Sequence, residues 1–320
     1  MNNTFEEIAK VIENGEVFLI FPHIVVDGDA LGSSTAICEA LRLKGKKAYV
    51  VLEDDIAKNL KFLDDCYCIN VNEVDFAHDT SICVDCSEKS RFPNRVELFD
   101  KAKTTICIDH HKTADPFCQY YYVDPNSAAT AELAYLLIKA MGVEITTKIA
   151  KRIYTGIITD TGNFQYSNTT KRTHQIVSEL YDVCDEFNDV SVAIYENDSF
   201  ERLALQSEIL SNAEIFAGGK GIVAYVTQDM LKKCNAIMDD SEGTVSRLRA
   251  ISGVEISVLV KEKEDGKIKV SMRAKTYGDV ASICVKYGGG GHTKAAGFTS
   301  DKPLREVIEI IKKDVEQSFE

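Results

Sequence analysis

Aspartate and histidine recur in this chain where apolar runs end. His23, Asp27 and Asp29 fall within HIVVDGDALGSS, Asp85 follows SICV, Asp109, His110 and His111 follow TTICI, and Asp160 follows YTGIIT. Grouping so many carboxylates costs stability through like-charge repulsion and desolvation, so a cation should compensate for them. Oxygen and imidazole donors without thiolate favour hard or borderline divalent ions such as Mn²⁺ or Mg²⁺ over a cysteine-rich structural zinc site. The donor set exceeds what one ion takes from protein while leaving room for water and substrate. Two ions about 3.5 to 4 Å apart would use it, and such a pair can activate water while polarising a phosphoryl oxygen.

Taken singly, each residue has a blander reading. An Asp after a strand is commonly a turn or helix cap, and Asp29 stands where it could cap the next helix. Lone histidines such as His78 and His174 read as surface or core residues. Several strand ends carrying the same residue types, one with three titratable residues in a row, make chance capping a poor account of the whole set. Cys83 and Cys86 form a C-x-x-C with no second pair nearby, and they read as small buried hydrophobes.

A scaffold must gather these residues. The runs EVFLIFP, KAYVVL, TSICVD and TTICID are short and rich in Val, Ile, Cys and Thr, and helical segments such as ALGSSTAICEALRLKG and RVELFDKAK separate them. This alternation predicts an α/β fold with a parallel sheet covered by helices on both faces. The Asp and His residues then lie at C-terminal strand ends, the ligand-binding edge of such a sheet. Thr4 and Glu7 form a capping-box pattern for an opening helix. Residues 128–159 and 170–184 read as longer helices.

The chain has 320 residues, a length that predicts two domains. We expect them at 1–185 and 215–320, joined by a helical linker at 186–214. The second is a smaller α/β domain with strands GIVAYVT, VEISVLVKE and KIKVSMRAK and a closing helix after Pro303. It also carries GGGGHTKAAGF at 288–298. Glycines free of Cβ let backbone N–H groups approach an anion, although a flexible turn explains the run equally well. Arg273, at a predicted strand end, could make a forked contact with a phosphate or carboxylate.

Net charge is −13, and the excess acidity lies in residues 1–214, with 20 basic against 35 acidic side chains. An acidic surface repels a long polyphosphate, which argues against sequence-independent duplex binding and leaves short phosphorylated substrates open. The longest apolar run, VFLIFPHIVV at 17–26, contains Pro and His and falls short of the ~20 residues a membrane helix needs. Acidic residues precede it, the wrong flank for a secretory signal. With ten cysteines mostly inside apolar runs, a cytoplasmic, reducing location is expected.

In order and spacing, HIVVDGDALGSS, VDCS, IDHH and GIITDTGNF resemble the four successive motifs of the DHH phosphoesterases. GGGGHTKAAGF resembles the signature of their DHHA1 C-terminal domain. Val25 and Val26 stand where the first motif often has Asn-Pro. The resemblance implies that His23, Asp27 and Asp85 hold one Mn²⁺ and that Asp29, Asp85, His110 and Asp160 hold a second, with Asp85 bridging and Mg²⁺ or Co²⁺ as substitutes. It implies catalytic roles for Asp85, for His111 at the scissile phosphate, and for Asp109 as an orienting group. Gly289, Gly290, Gly291, His292 and Arg273 would grip the substrate's terminal phosphate or nucleotide across a cleft between domains, with Arg91 as a further phosphate contact.

A two-domain chain of this length resembles the stand-alone oligoribonuclease and 3'-phosphoadenosine-5'-phosphate (pAp) phosphatase members. The implied partners are short RNA oligonucleotides and mononucleotide bisphosphates, with no long duplex nucleic acid and no membrane. A homodimer is left open. Cyclic or linear dinucleotides such as c-di-AMP and pGpG are the alternative substrates. A catalytically silent nucleotide-binding protein is the alternative class, and the complete ligand set speaks against it.

Overall fold

Helix α1 (Phe5–Asn14) opens with the expected reciprocal cap: Thr4 accepts from the Glu7 amide while Glu7 accepts from the Thr4 amide. The computed structural model describes residues 2–111 and 117–319, and of His292 the backbone alone. The chain divides into two units, Met1–Asn197 and Asp198–Glu320.

In the first unit α1 is followed by β1 (Val17–Phe21), α2 (Gly28–Leu43), β2 (Lys47–Leu52), β3 (Cys68–Asn70), β4 (Thr80–Val84), α3 (Val96–Phe99), β5 (Thr104–Asp109) and β6 (Tyr120–Val123). Four helices complete it: α4 (Thr130–Ala140), α5 (Thr147–Asp160), α6 (Lys171–Tyr181) and α7 (Phe187–Tyr195). The strands pair in parallel in the order β3-β2-β1-β4-β5-β6. Both sheet faces are apolar, as the unbroken hydrophobic runs require. Phe18, Ile20, Ile82, Val84, Ile106 and Ile108 pack under α1, α2, α4 and α5. Leu19, Phe21, Cys83 and Cys107 face the other way, onto a layer of Phe92, Phe99 and Phe117 around the single-turn α3. The cysteines there serve as small core residues.

The second unit contains α8 (Phe200–Ser211), β7 (Glu214–Phe216), β8 (Gly221–Val226), α9 (Gln228–Cys234), α10 (Thr244–Arg249), β9 (Ile256–Glu262) and β10 (Ile268–Ala274). It closes with α11 (Val280–Val285), β11 (Gly290–His292), β12 (Ala295–Ser300) and α12 (Leu304–Gln317). Its sheet runs β11-β12-β10-β9-β8-β7, parallel between β8 and β9 and antiparallel elsewhere. Val258, Val260, Val270 and Met272 meet α11 and α12 in its core.

Three stretches differ from expectation. The 128–159 segment breaks at Gly142, whose φ of +70° ends α4. The 186–214 segment is two helices: Phe187 and Val190 of α7 enter the first core, whereas Leu205 and Ile209 of α8 enter the second unit. The glycine-rich run forms the β11–β12 hairpin, where a Cβ on Gly289 would lie 2.2 Å from the Gly297 carbonyl oxygen. Close packing of backbone requires glycine there independently of any ligand. Among the described residues, no helix is long and apolar enough to cross a membrane.

Candidate metal centre

Strand order reverses between β1 and β4, and the crevice beyond the carboxyl ends at such a reversal is where open parallel sheets bind ligands. The adjacent strands β1, β4 and β5 all end there. His23 and Asp27 follow β1, Asp29 lies in the first turn of α2, Asp85 follows β4, Asp109 ends β5, and His110 and His111 come next. Asp160, the last residue of α5, joins them because α5 packs closely on α2. That approach depends on Gly156, where a Cβ would lie 2.7 Å from Asp29 Oδ1.

His23 Nε2 lies 3.5 Å from Asp85 Oδ2 and 3.7 Å from Asp27 Oδ2. His110 Nε2 lies 3.4 Å from Asp160 Oδ2, 3.7 Å from Asp85 Oδ1 and 4.0 Å from Asp29 Oδ2. Each ring turns Nε2 inward because Nδ1 is engaged, with the Ile24 carbonyl at 2.7 Å in His23 and the Ser127 carbonyl at 3.1 Å in His110. An Nδ1–H donated to a carbonyl leaves the Nε2 lone pair for an ion. The structure thus brings together His23–Asp27–Asp85, Asp29–His110–Asp160 and Asp85–His110–His111 as candidate ligand groups. Asp85 belongs to two of them, one oxygen toward each inward-facing histidine.

His111 is held differently. Asp109, fully buried, accepts from the His111 backbone N–H at 3.0 Å and from its Nδ1 at 2.7 Å with the same oxygen. That hydrogen bond, against the effect of burial, raises His111 to about 9. A protonated ring then presents its opposite N–H to a ligand. Arg91 is exposed on the loop after β4, its carbonyl accepts from Ile24 N–H at 2.8 Å, and its charge acts on His111.

The electrostatics favour a cation. Burial, then the charges of Asp85, Asp160 and Asp27, push the Asp29 carboxyl well above the usual range, against a bond from the Thr130 amide. Burial also lifts Asp160 to about 7, with Asp85 and Asp27 adding to it against the pull of His110. His23 is carried the other way by its partners: burial lowers it, yet Asp27 and Asp85 bring it to about 10. An oxygen and imidazole set in which His23, Asp29 and Asp85 are buried and Asp27 stands exposed at the rim, and whose carboxyls Asp29 and Asp160 favour their protons, fits a divalent ion.

Ion uptake must displace those protons, so Mn²⁺ affinity should rise with pH through the range set by Asp160 near 7 and His23 near 10. Calorimetry at neutral pH in buffers of differing ionisation enthalpy should record more than one proton released per chain. Zero release would refute this electrostatic account.

The start of α4 escaped the sequence reading. Thr130 Oγ1 donates to Asp85 Oδ1 at 2.7 Å, its amide to Asp29 Oδ2 at 2.7 Å, and the Ala131 amide to Asp29 Oδ1 at 2.9 Å. A helix N-terminus is a ready anion site, and here the anion is a side chain of the protein itself. The available signal was NSAAT, polar residues around two alanines directly before a helix.

In the second unit, Arg273 sits near the end of β10 opposite Ala295, its Nη1 donating to the Met272 carbonyl at 2.9 Å. Arg273 and Gly290 line one cavity of about 470 Å³. Gly289 precedes β11, Gly291 lies within it, and the side chain of His292 lies outside the described residues.

Residues 17–157 match the DHH family, N-terminal domain, and residues 218–320 match the DHHA1 domain. The chain is 33% identical to the bifunctional oligoribonuclease and PAP phosphatase NrnA of Thermus thermophilus, over 97% of this chain and 93% of that protein. This chain belongs to the DHH family. The Bacillus subtilis protein of the same name is 27% identical over 91% of each chain. The crystal structure of an exopolyphosphatase-related protein from Bacteroides fragilis matches with a TM-score of 0.93 at 26% identity, covering 98% of this chain and 95% of that one. The DHH match spans His23, Asp27, Asp29, Asp85 and Asp109 to His111, and ends three residues before Asp160. The DHHA1 match spans Arg273 and the glycine hairpin.

Proposed function

We propose that this DHH-family chain is a divalent-metal phosphohydrolase that cleaves short oligoribonucleotides to nucleoside 5'-monophosphates and converts pAp to AMP and phosphate. The observation that carries this reading is Asp85, whose two oxygens face the inward nitrogens of His23 and His110. In it, His23, Asp27 and Asp85 hold one ion, and Asp29, Asp85, His110 and Asp160 the other. Mn²⁺ is preferred, with Mg²⁺ or Co²⁺ as substitutes. Such a pair, when bound, neutralises phosphate charge and lowers the pKa of water.

The protein's own groups do the rest. Asp109 fixes His111, which stays protonated at neutral pH and donates from Nε2 to a phosphoryl oxygen as charge grows there. Arg91 adds positive charge beside it. In the second unit Arg273, His292 and the hairpin glycines bind a phosphate or nucleotide of the substrate. Both substrates present the same bond, phosphorus to ribose oxygen. The relatives named for oligoribonuclease and PAP phosphatase activity support this choice of substrate, and the acidity of the chain disfavours long polyanions. A cytoplasmic location belongs to the proposal, since all ten cysteines are unpaired.

Turnover of pAp, a ribodinucleotide and c-di-AMP, measured side by side with Mn²⁺, tests the assignment. One of the first two should exceed c-di-AMP by more than about tenfold in kcat/KM, and EDTA should abolish all turnover. A tenfold preference for c-di-AMP would replace this reading with a cyclic dinucleotide phosphodiesterase.

A further inference from the structure

One side-chain amide links the two helix ends that frame the second ion. Asn168 lies in the loop between α5 and α6, and its Nδ2 donates to the Ala128 carbonyl at 2.9 Å and to the Asp160 carbonyl at 3.1 Å. Asp160 is the last residue of α5, where a helix leaves its final carbonyls without intrahelical partners. Ala128 directly precedes Ala129, the cap of α4. The loop doubles back to make this contact: Gly162, Asn163 and Phe164 take left-handed φ of +54°, +56° and +66°, and the Tyr166 amide donates to the Thr161 carbonyl at 3.0 Å.

The amide has one workable orientation. Exchanging its oxygen and nitrogen would set Oδ1 against two carbonyls. Oδ1 is instead buried and meets no donor among the described residues. A buried acceptor without a donor costs free energy, and the two donated bonds must offset that cost.

The backbone it joins supports the ligands of one ion. The Ser127 carbonyl, next to Ala128, engages His110 Nδ1. Thr130 and Ala131, at the start of α4, hold Asp29 and Asp85. His23 and Asp27, which serve the first ion alone, rest on their own chain neighbours: His23 Nδ1 on the Ile24 carbonyl, and Asp27 on the amides of Asp29 and Ala30. We propose that Asn168 is a positioning residue for the second ion: it fixes Asp160, arriving on α5, against the segment that holds Asp29, Asp85 and His110. The inference rests on the two-ion reading above.

The test measures Mn²⁺ binding by electron paramagnetic resonance of the free ion, using the full chain with Asn168→Ala and with Asn168→Leu, which keeps the volume and removes both donors. His23→Ala leaves the second site and Asp160→Asn the first, so each background isolates one ion. Both Asn168 substitutions should weaken Mn²⁺ binding by about 10- to 100-fold in the His23→Ala background and by less than about twofold in the Asp160→Asn background. Equal losses in the two backgrounds, or a loss with alanine alone, would overturn the inference. In the otherwise wild-type chain, kcat on pAp should recover at saturating Mn²⁺ while the half-activating concentration rises. With metal chelated, the imidazole nitrogen NMR signals of His110 should shift or broaden in both variants and those of His23 should not. Unchanged His110 signals refute the positioning role, whereas altered His110 signals in a chain whose wild type binds one Mn²⁺ refute only the two-ion reading.

Discussion

Asp85→Asn is expected to lower kcat on pAp by roughly 10³-fold or more and to remove at least one bound ion per chain. The substitution is chosen for its backbone. Asp85 has φ of +55°, a left-handed conformation that asparagine tolerates at least as well as aspartate, so the turn after β4 should survive. Asparagine can keep the acceptor that receives Thr130 Oγ1 at 2.7 Å. What it loses is the second anionic oxygen, 3.5 Å from His23 Nε2, where an amide N–H₂ cannot ligate. Metal content by elemental analysis, kcat, and thermal melting together isolate the effect. Activity within tenfold of wild type at unchanged metal content would end the two-ion assignment.

Glu132→Ala should destabilise the first unit by about 3 kcal/mol, read as a shift in the urea transition with metal chelated. Glu132 is fully buried. It accepts from Thr173 Oγ1 at 2.6 Å, Ser127 Oγ at 2.8 Å and Arg172 Nε at 3.0 Å. Alanine leaves all three donors without that partner and opens a cavity. Arg172 keeps Asp124 at 2.9 Å and is about one-third exposed, so its share is discounted for solvent screening. Glutamine retains one acceptor and should cost less. Because the Ser127 carbonyl also receives His110, turnover should fall along with stability in both variants. A change below about 1 kcal/mol for alanine would mean water replaces the lost partner.

Residue type and position made the candidate ligand set legible in the sequence. Asp and His at the ends of apolar runs have few competing explanations when three runs share the pattern. What could not be read was their adjacency, since nothing in VFLIF or TSICV states that β1 pairs with β4; crossover connections decide it. The edge strands β3 and β6 were also hidden, the first three residues long and the second a half-buried Tyr run without alternation. Ser199, which accepts from the Arg202 amide, marked the start of α8 within a stretch read as one linker. The glycine-rich run read as a loop because glycine has low strand propensity, while close approach of β12 demanded it.

The bonds from Thr130 and Ala131 to Asp29 and Asp85 have a consequence for ionic size. The Thr130 and Ala131 amides hold Asp29 and the Thr130 hydroxyl holds Asp85, so the start of α4 sets the walls of the cage. Mg²⁺ takes oxygen donors at about 2.0 to 2.1 Å and Ca²⁺ at about 2.3 to 2.6 Å. A larger ion would have to pull Asp29 off the first turn of α4, breaking two hydrogen bonds of 2.7 and 2.9 Å. Calcium should therefore be a poor substitute even where it is abundant, and discrimination against it would come from the helix that carries no ligand at all.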